Sequence, residues 1–168
     1  MSKRERVYIV DENDNVIDEK WRDETIPADR IRIVGVWIEN NSEQVLIAQR
    51  SYRKKIDQGL WGPAVAGTVE AGDSYESTAV RELIEEINLD INSLSASLIA
   101  VDKINYGTEK TGLRIAARFK IFVDLPISSF KIDSNEVEKI KWIDKKILTQ
   151  DITKNPDNYV PHFKVDIA

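Results

Sequence analysis

The chain has 168 residues with a hydrophobic content of 42% and a charged content of 32%, proportions that suit one folded domain with a packed core and exclude a disordered chain. It contains no Cys and a single His, His162, which removes disulfides, thiolate chemistry and multi-histidine metal sites and leaves hard cations on oxygen ligands. The formal net charge of −5 speaks against sequence-independent nucleic-acid binding, and no apolar run approaches the roughly 20 residues that span a bilayer. A cytoplasmic protein with no membrane or nucleic-acid partner is expected.

In chain order, Val7–Val10 and Val16–Ile17 flank the turn-forming Asp11–Asn15 and predict an N-terminal hairpin. Ile31–Ile38 and Gln44–Gln49 predict a second one. Further strands are expected at Ala64–Val69, Leu98–Ile104, Leu113–Val123 and Val137–Ile143. The clearest helix begins near Ser74, with Asp73 or Ser74 as cap, and ends near Ile87, where Asn88 suits a left-handed terminus. On its wheel Val80, Leu83, Ile84 and Ile87 form an apolar side, with Glu82, Glu85 and Glu86 roughly opposite. A second helix is expected over Lys145–Gln150, and the segment from Pro156 to Ala168 stays open between helix and loop. A mixed sheet with a few helices packed on it is α+β or α/β in character.

The residues from Gly67 to Leu89 concentrate the chemistry. Glu82, Glu85 and Glu86 stand at i, i+3 and i+4, a spacing that gathers carboxylates whose repulsion a divalent cation would relieve, and Mg²⁺, Mn²⁺ or Ca²⁺ suits such ligands. Arg81, near Glu85 on the wheel, is suited to hold a carboxylate through its donor fork. Gly67 and Gly72 bracket the loop entering the helix, where a backbone carbonyl could join the ligands. Taken alone, an Arg-Glu-x-x-Glu-Glu run also reads as a solvated helix face.

The spacing of Gly67, Arg81, Glu82, Leu83, Glu85, Glu86 and Leu89 resembles the Nudix box across 23 residues. Asp73 stands where that pattern has Glu, and Asn88 where it has Gly. The runs Val10–Ile17, Leu46–Ser51 and Leu60–Gly67 resemble the Nudix branch containing isopentenyl diphosphate isomerase and its hydrolase-like relatives. The isomerase places a Cys before the box Gly, whereas this chain has Ala66, so isomerisation is not expected. The resemblance implies an α+β fold of Nudix type, an α/β/α sandwich with a mixed β-sheet and a catalytic loop-helix-loop. It implies one domain over residues 1–168, with the hairpin, about residues 1–30, as an extension.

The resemblance further implies Mg²⁺ or Mn²⁺ held by Glu82, Glu85, Glu86 and the Gly67 carbonyl, and hydrolysis of a phosphoanhydride in a nucleoside diphosphate linked to another group. The catalytic residues would be Glu82, Arg81 and Glu85, with Glu82 as general base and Glu136 or Glu138 as alternatives. Arg50, Asp73 and Glu138 are the candidate substrate contacts. Arg50 opens a basic cluster with Arg53, Lys54 and Lys55, and Trp37, Trp61, Trp142 and Tyr106 could stack on a base or sit in the core. Segments Lys103–Gly112 and Pro126–Ser134 are the candidate substrate selectors. The competing reading is a non-catalytic nucleotide- or protein-binding Nudix domain, and the hairpin could pair two copies into a homodimer.

Overall fold

The computed structural model describes residues 4–161 and 163. His162 and residues 164–168 lie outside them, and the described part of the open end carries a 3-10 turn at Pro156–Asn158 followed by a bridge from Tyr159 to Trp61. Val7–Val10 and Val16–Ile17 do form a hairpin, as strands β1 (Arg6–Val10) and β2 (Val16–Trp21), joined through Asp14 in a left-handed conformation (φ 68°). β3 (Ile31–Glu39) is the centre of the sheet. It runs parallel to β8 (Arg114–Phe122), from Ile31 opposite Arg114 to Glu39 opposite Phe122. Elsewhere along its length it meets β1, β6 (Val65–Thr68) and β4 (Gln44–Arg50), all antiparallel. β7 (Ile99–Tyr106) pairs with β8, while β5 (Trp61–Pro63) and β9 (Val137–Asp144) pair with β4.

Strand side chains alternate between faces, and β3 shows the consequence. Val34, Val36 and Ile38 join Leu46, Ala117, Phe119 and Ile121 beneath Ala79, Leu83 and Ile87 of α1 (Tyr75–Ile87). Trp37, on the opposite face, packs with Val45 and Ile47 against Leu148 and Ile152 of α2 (Lys145–Lys154) and stacks on Phe163. Helix, mixed sheet and helix thus form three layers. The sheet-long parallel pair β3–β8 requires a crossover, and that crossover carries α1.

Two features of α1 differ from its sequence wheel. Ile84 is exposed rather than part of the apolar side, and Glu86 is buried at 8% exposure. The stripe that faces the sheet is Ala79, Leu83, Glu86 and Ile87, because Glu86 finds a backbone partner on β6 that hydropathy alone does not reveal.

Candidate active site

The loop that enters α1 is fixed by local rules. Gly72 takes φ 94°, a region other residues rarely adopt. Ser74 caps the helix by accepting the Ser77 N–H at 3.0 Å, and Ser77 Oγ accepts the Ser74 N–H in return, a capping box. Asp73, the other candidate cap, turns to Arg81 instead. Asn88 ends the helix at φ 56° and donates its N–H to the Ile84 carbonyl.

These ends hold the acidic residues over β6. The Glu82 side chain lies against Gly67, where a Cβ would fall 2.5 Å from Glu82 Cγ and Oε1. Glu86 Oε2 accepts the Ala66 N–H at 3.4 Å. Burial, then Glu85 and Glu136 across the same space, pushes the Glu82 carboxyl up to about 7 against the opposing pull of Arg81. Burial first, then Glu82 and Glu136, raises Glu86 well above the usual carboxylate range. Glu85 is exposed on the helix.

Arg81 does not hold Glu85 through a hydrogen bond. Its Nη1 donates to Glu70 at 2.9 Å and Asp73 at 3.0 Å, and its Nη2 reaches Glu82 at 3.5 Å. Burial works against its charge, but Glu82, Glu70 and Asp73 outweigh that and hold its pKa up. Its Nε is buried without a partner among the described residues. Arg81 therefore ties the entry loop to Glu82, and Asp73 serves Arg81 rather than standing free for substrate. Glu70, the longer acid in this clamp, was not singled out by sequence because it lies in the spacer of the box.

A cleft of about 580 Å³ opens beside the acids, and Glu86, Glu136, Arg50 and Ala66 line one part of it. Glu138 does not line it. Glu136 and Glu138 are two residues apart, but a register shift between Gln49 and Arg50 places the start of β9 differently from its middle, and Glu138 is exposed. Lys54 Nζ donates to Glu136 at 2.5 Å, Arg53 to Asn135 at 2.9 Å, and Arg50 Nε to the Ile56 carbonyl at 3.2 Å. The basic cluster thus staples its loop to the segment before β9, and of its members only Arg50 lines the cleft. Ile104, Tyr106, Gly107, Thr111 and Gly112, from the first of the two candidate selector segments, line it too. Pro126–Ser134 does not: its Lys131 and Asp133 N–H groups bond the carbonyls of Ile87 and Glu86, and Phe130 is core. Trp142 also packs on the core, donating to the Leu125 carbonyl, while Trp37 is buried with one side on the cleft.

Among the described residues, no three acidic or histidine side chains already converge as a metal chelate. The donor chemistry nevertheless fits a hard cation. Two carboxylates one helical turn apart, Glu82 half-buried and Glu86 buried, repel each other, a third acid, Glu136, acts on both, and no histidine or sulfur ligand intervenes.

The model of the NUDIX domain matches residues 29–163. The chain belongs to the Nudix domain family. An uncharacterised Nudix hydrolase of Nostoc is 36% identical over 101 residues, 59% of this chain and 60% of its own length. A Nudix hydrolase of Deinococcus radiodurans is 34% identical over 92 residues, 54% of each. The chain therefore spans little more than half of these relatives. An isopentenyl-diphosphate Delta-isomerase of Salmonella typhi is 24% identical over 94% of the chain and 87% of its own length. In fold, DR0079 of Deinococcus radiodurans superposes with a TM-score of 0.80 at 22% identity, covering 97% of both chains. The Nudix domain of Shewanella oneidensis NrtR, solved with ADP ribose, gives 0.58 at 17% identity over 72% of this chain and 77% of its own. The Nudix box is thus the segment from Gly67 to Leu89, a loop and helix whose Glu82 lies on β6 and whose Glu86 meets both β6 and the cleft. Arg114 and Arg118 of β8 also line that cleft, unsuspected from sequence although the alternation Arg114, Ala116, Arg118 against Ile115, Ala117, Phe119 signalled a polar face.

Proposed function

We propose that the protein is a metal-dependent hydrolase that cleaves a phosphoanhydride bond in a nucleoside diphosphate linked to another group. The observation that carries this reading is the pair of carboxylates over β6, Glu82 half-buried on Gly67 and Glu86 buried on the Ala66 N–H, with Glu86 also lining a cleft of about 580 Å³. Buried like charges destabilise a fold unless they serve a ligand. Glu82 and Glu86, assisted by Glu85 and the Gly67 carbonyl, would hold Mg²⁺ or Mn²⁺. Bound there, the cation would offset phosphate charge and ease deprotonation of an attacking water.

The chain's own residues divide the remaining work. Arg81 keeps Glu82 and the entry loop in place through Glu70 and Asp73. Glu82 is the first candidate to take the proton of the water, and Glu136, held by Lys54, is the second. Arg50 lies on the cleft beside the acids, placed to receive phosphate charge. The isomerase name carried by some relatives does not transfer, since the chain has no Cys and Ala66 precedes the box Gly.

A panel of nucleoside triphosphates, nucleotide sugars, ADP-ribose, dinucleotides and coenzyme A, assayed with Mg²⁺ for release of phosphate or nucleoside monophosphate, tests the reading. Turnover of at least one member, lost on replacing Glu85 and Glu86 together by Gln in a protein that still unfolds cooperatively, is the expected result. Retained turnover in that variant overturns the assignment. Binding of a nucleotide with no turnover on any member would favour a non-catalytic domain.

A further inference from the structure

Strand β8 presents Arg114, Ala116 and Arg118 to the cleft, while Ala117, Phe119 and Ile121 go to the core beneath α1. The two guanidiniums differ. Arg118 is paired with Asp102, its Nε donating at 2.5 Å. Arg114 has no carboxylate partner among the described residues; it donates from Nη1 to its neighbour, the Leu113 carbonyl, at 2.7 Å. Burial lowers its pKa most, a second cation, Arg22, lowers it further, and Tyr106 pulls the other way. Its guanidinium lies close over Gly112, where a Cβ would fall 2.8 Å from Nη1. A half-buried cation with a second cation nearby and no acid is costly to a fold, and its planar donor fork matches an oxyanion.

Its position relative to the acids follows from the sheet register. Arg118 lies opposite Gly35, and Gly35 opposite Ala66, whose N–H meets Glu86. Two strand spacings, about 10 Å, separate Arg118 from Ala66, and Arg114 is four residues, about 13 Å, further along β8. The floor between is low: Gly35 and Ala116 line it, and a Cβ at Gly35 would meet nothing within 4 Å. Arg114 is thus too far from Glu86 to serve the adjacent phosphate of a diphosphate held there. Tyr106, Thr111 and Gly112 complete its surroundings on the cleft wall.

We propose that Arg114 is an anion subsite at the far end of the cleft, so that the preferred ligand carries a second oxyanion, a phosphate or a carboxylate, remote from its diphosphate. The specificity half of this statement rests on the hydrolase reading; the anion subsite does not. It is tested first with inorganic phosphate alone, at constant ionic strength and without metal, by following the Arg114 Nε–Hε resonance, assigned from Arg114→Gln. A saturable shift of that resonance is expected, and no saturable shift overturns the subsite.

Specificity is then read from two ligand pairs, each differing by one anionic group: coenzyme A against dephospho-coenzyme A, and UDP-glucuronate against UDP-glucose. In the wild type the anionic member of one pair should exceed its partner in kcat/KM by about 10-fold, as one charge-assisted fork warrants, and the ratio should fall towards one in Arg114→Gln. The pair that discriminates distinguishes phosphate from carboxylate. Turnover without discrimination, or discrimination that survives in Arg114→Gln, overturns the specificity proposal. If none of the four is hydrolysed while another member of the panel is, the specificity proposal is overturned; if no member of the panel is hydrolysed while the phosphate titration saturates, the hydrolase reading fails and the subsite stands.

Discussion

Gly67 lies directly against the Glu82 side chain: a Cβ at position 67 would fall 2.5 Å from Glu82 Cγ and Oε1. The glycine is required here by close approach rather than by its backbone angles. Because the clashing atoms are the far end of a flexible side chain, Gly67→Ala should leave the fold intact while displacing the carboxylate. We expect kcat/KM to fall by about 100-fold, the scale of losing one positioned catalytic group, with a change in Tm of only a few degrees. Hydrolysis assays beside thermal unfolding check this. Full activity in the variant would show that Glu82 acts from another position.

The raised carboxyls make stability depend on pH in a defined direction. Glu82 titrates near 7 in the folded chain against 4.5 as a free side chain, and Glu86 is raised as well. A group whose folded pKa is raised holds its proton more tightly in the native state. Its contribution is therefore complete below about pH 4.5 and is lost as pH rises through about 7. Glu86→Gln removes one buried charge, so without metal it should be more stable than the wild type at pH 8, by ~1–3 kcal/mol. The difference should vanish near pH 4. Urea unfolding in chelator at the two pH values measures it, and a variant less stable than wild type at pH 8 would contradict the electrostatic account. The same variant should lose Mg²⁺-dependent turnover, the usual opposition of stability and site chemistry.

Much of this was legible in the residues, and the misses have physical causes. The helix over Tyr75–Ile87 was readable because caps and period agree: Ser74 at one end, Asn88 at the other. Its buried stripe was misassigned at Ile84 and Glu86 because hydropathy places Ile inward and Glu outward, and only a free N–H on β6 reverses that. β5 escaped notice because Trp61-Gly62-Pro63 is three residues long and shows no alternation. The sequence offers Glu136 and Glu138 both as alternative bases but Glu138 alone as a substrate contact; that only Glu136 lines the cleft follows from the register shift at the head of β9, a tertiary event. Arg114 was passed over because a strand pattern shows which residues share a face but not that α2 leaves part of that face uncovered.

Asp14 joins four elements at one carboxylate. It accepts from Arg32 Nε at 2.7 Å, Lys103 Nζ at 2.8 Å and the Tyr75 hydroxyl at 3.0 Å, linking the hairpin turn to β3, β7 and the first residue of α1. Burial alone would raise its pKa, but Lys103, Arg32 and Tyr75 together hold it below the ordinary value of 3.8. A depressed carboxyl contributes stability that is complete above its unfolded pKa and is lost as pH falls through the folded one. Asp14→Asn should therefore cost ~1–3 kcal/mol at pH 7, with the gap to wild type closing below about pH 4. Unfolding curves at pH 7 and 3 test it; a gap that stays constant would assign the effect to the lost acceptor geometry rather than to the charge, since Asn keeps the left-handed turn.

The family match begins at residue 29, yet the hairpin before it is tied to the same sheet through a small apolar cluster of its own. Val7, Ile9 and Val10 are buried, Val7 and Ile9 cluster with Ile31 of β3, and the Ala71 N–H of the loop before α1 donates to the Arg6 carbonyl at 2.7 Å. At about 1.5–3 kcal/mol per buried aliphatic side chain, these three contribute on the order of 5 kcal/mol, comparable with the net stability of a small domain. Residues 1–30 should thus belong to one cooperative unit with the Nudix segment rather than form a dispensable arm. A chain beginning at Ile31 should lose its cooperative unfolding transition, and Val7→Ala and Ile9→Ala in the full chain should each lower stability by ~1–4 kcal/mol through a single transition. Urea unfolding followed by both far-ultraviolet circular dichroism and tryptophan fluorescence separates the two cases: coincident curves support one unit, whereas an unperturbed main transition with an early one confined to Trp21 would make the hairpin a separable extension.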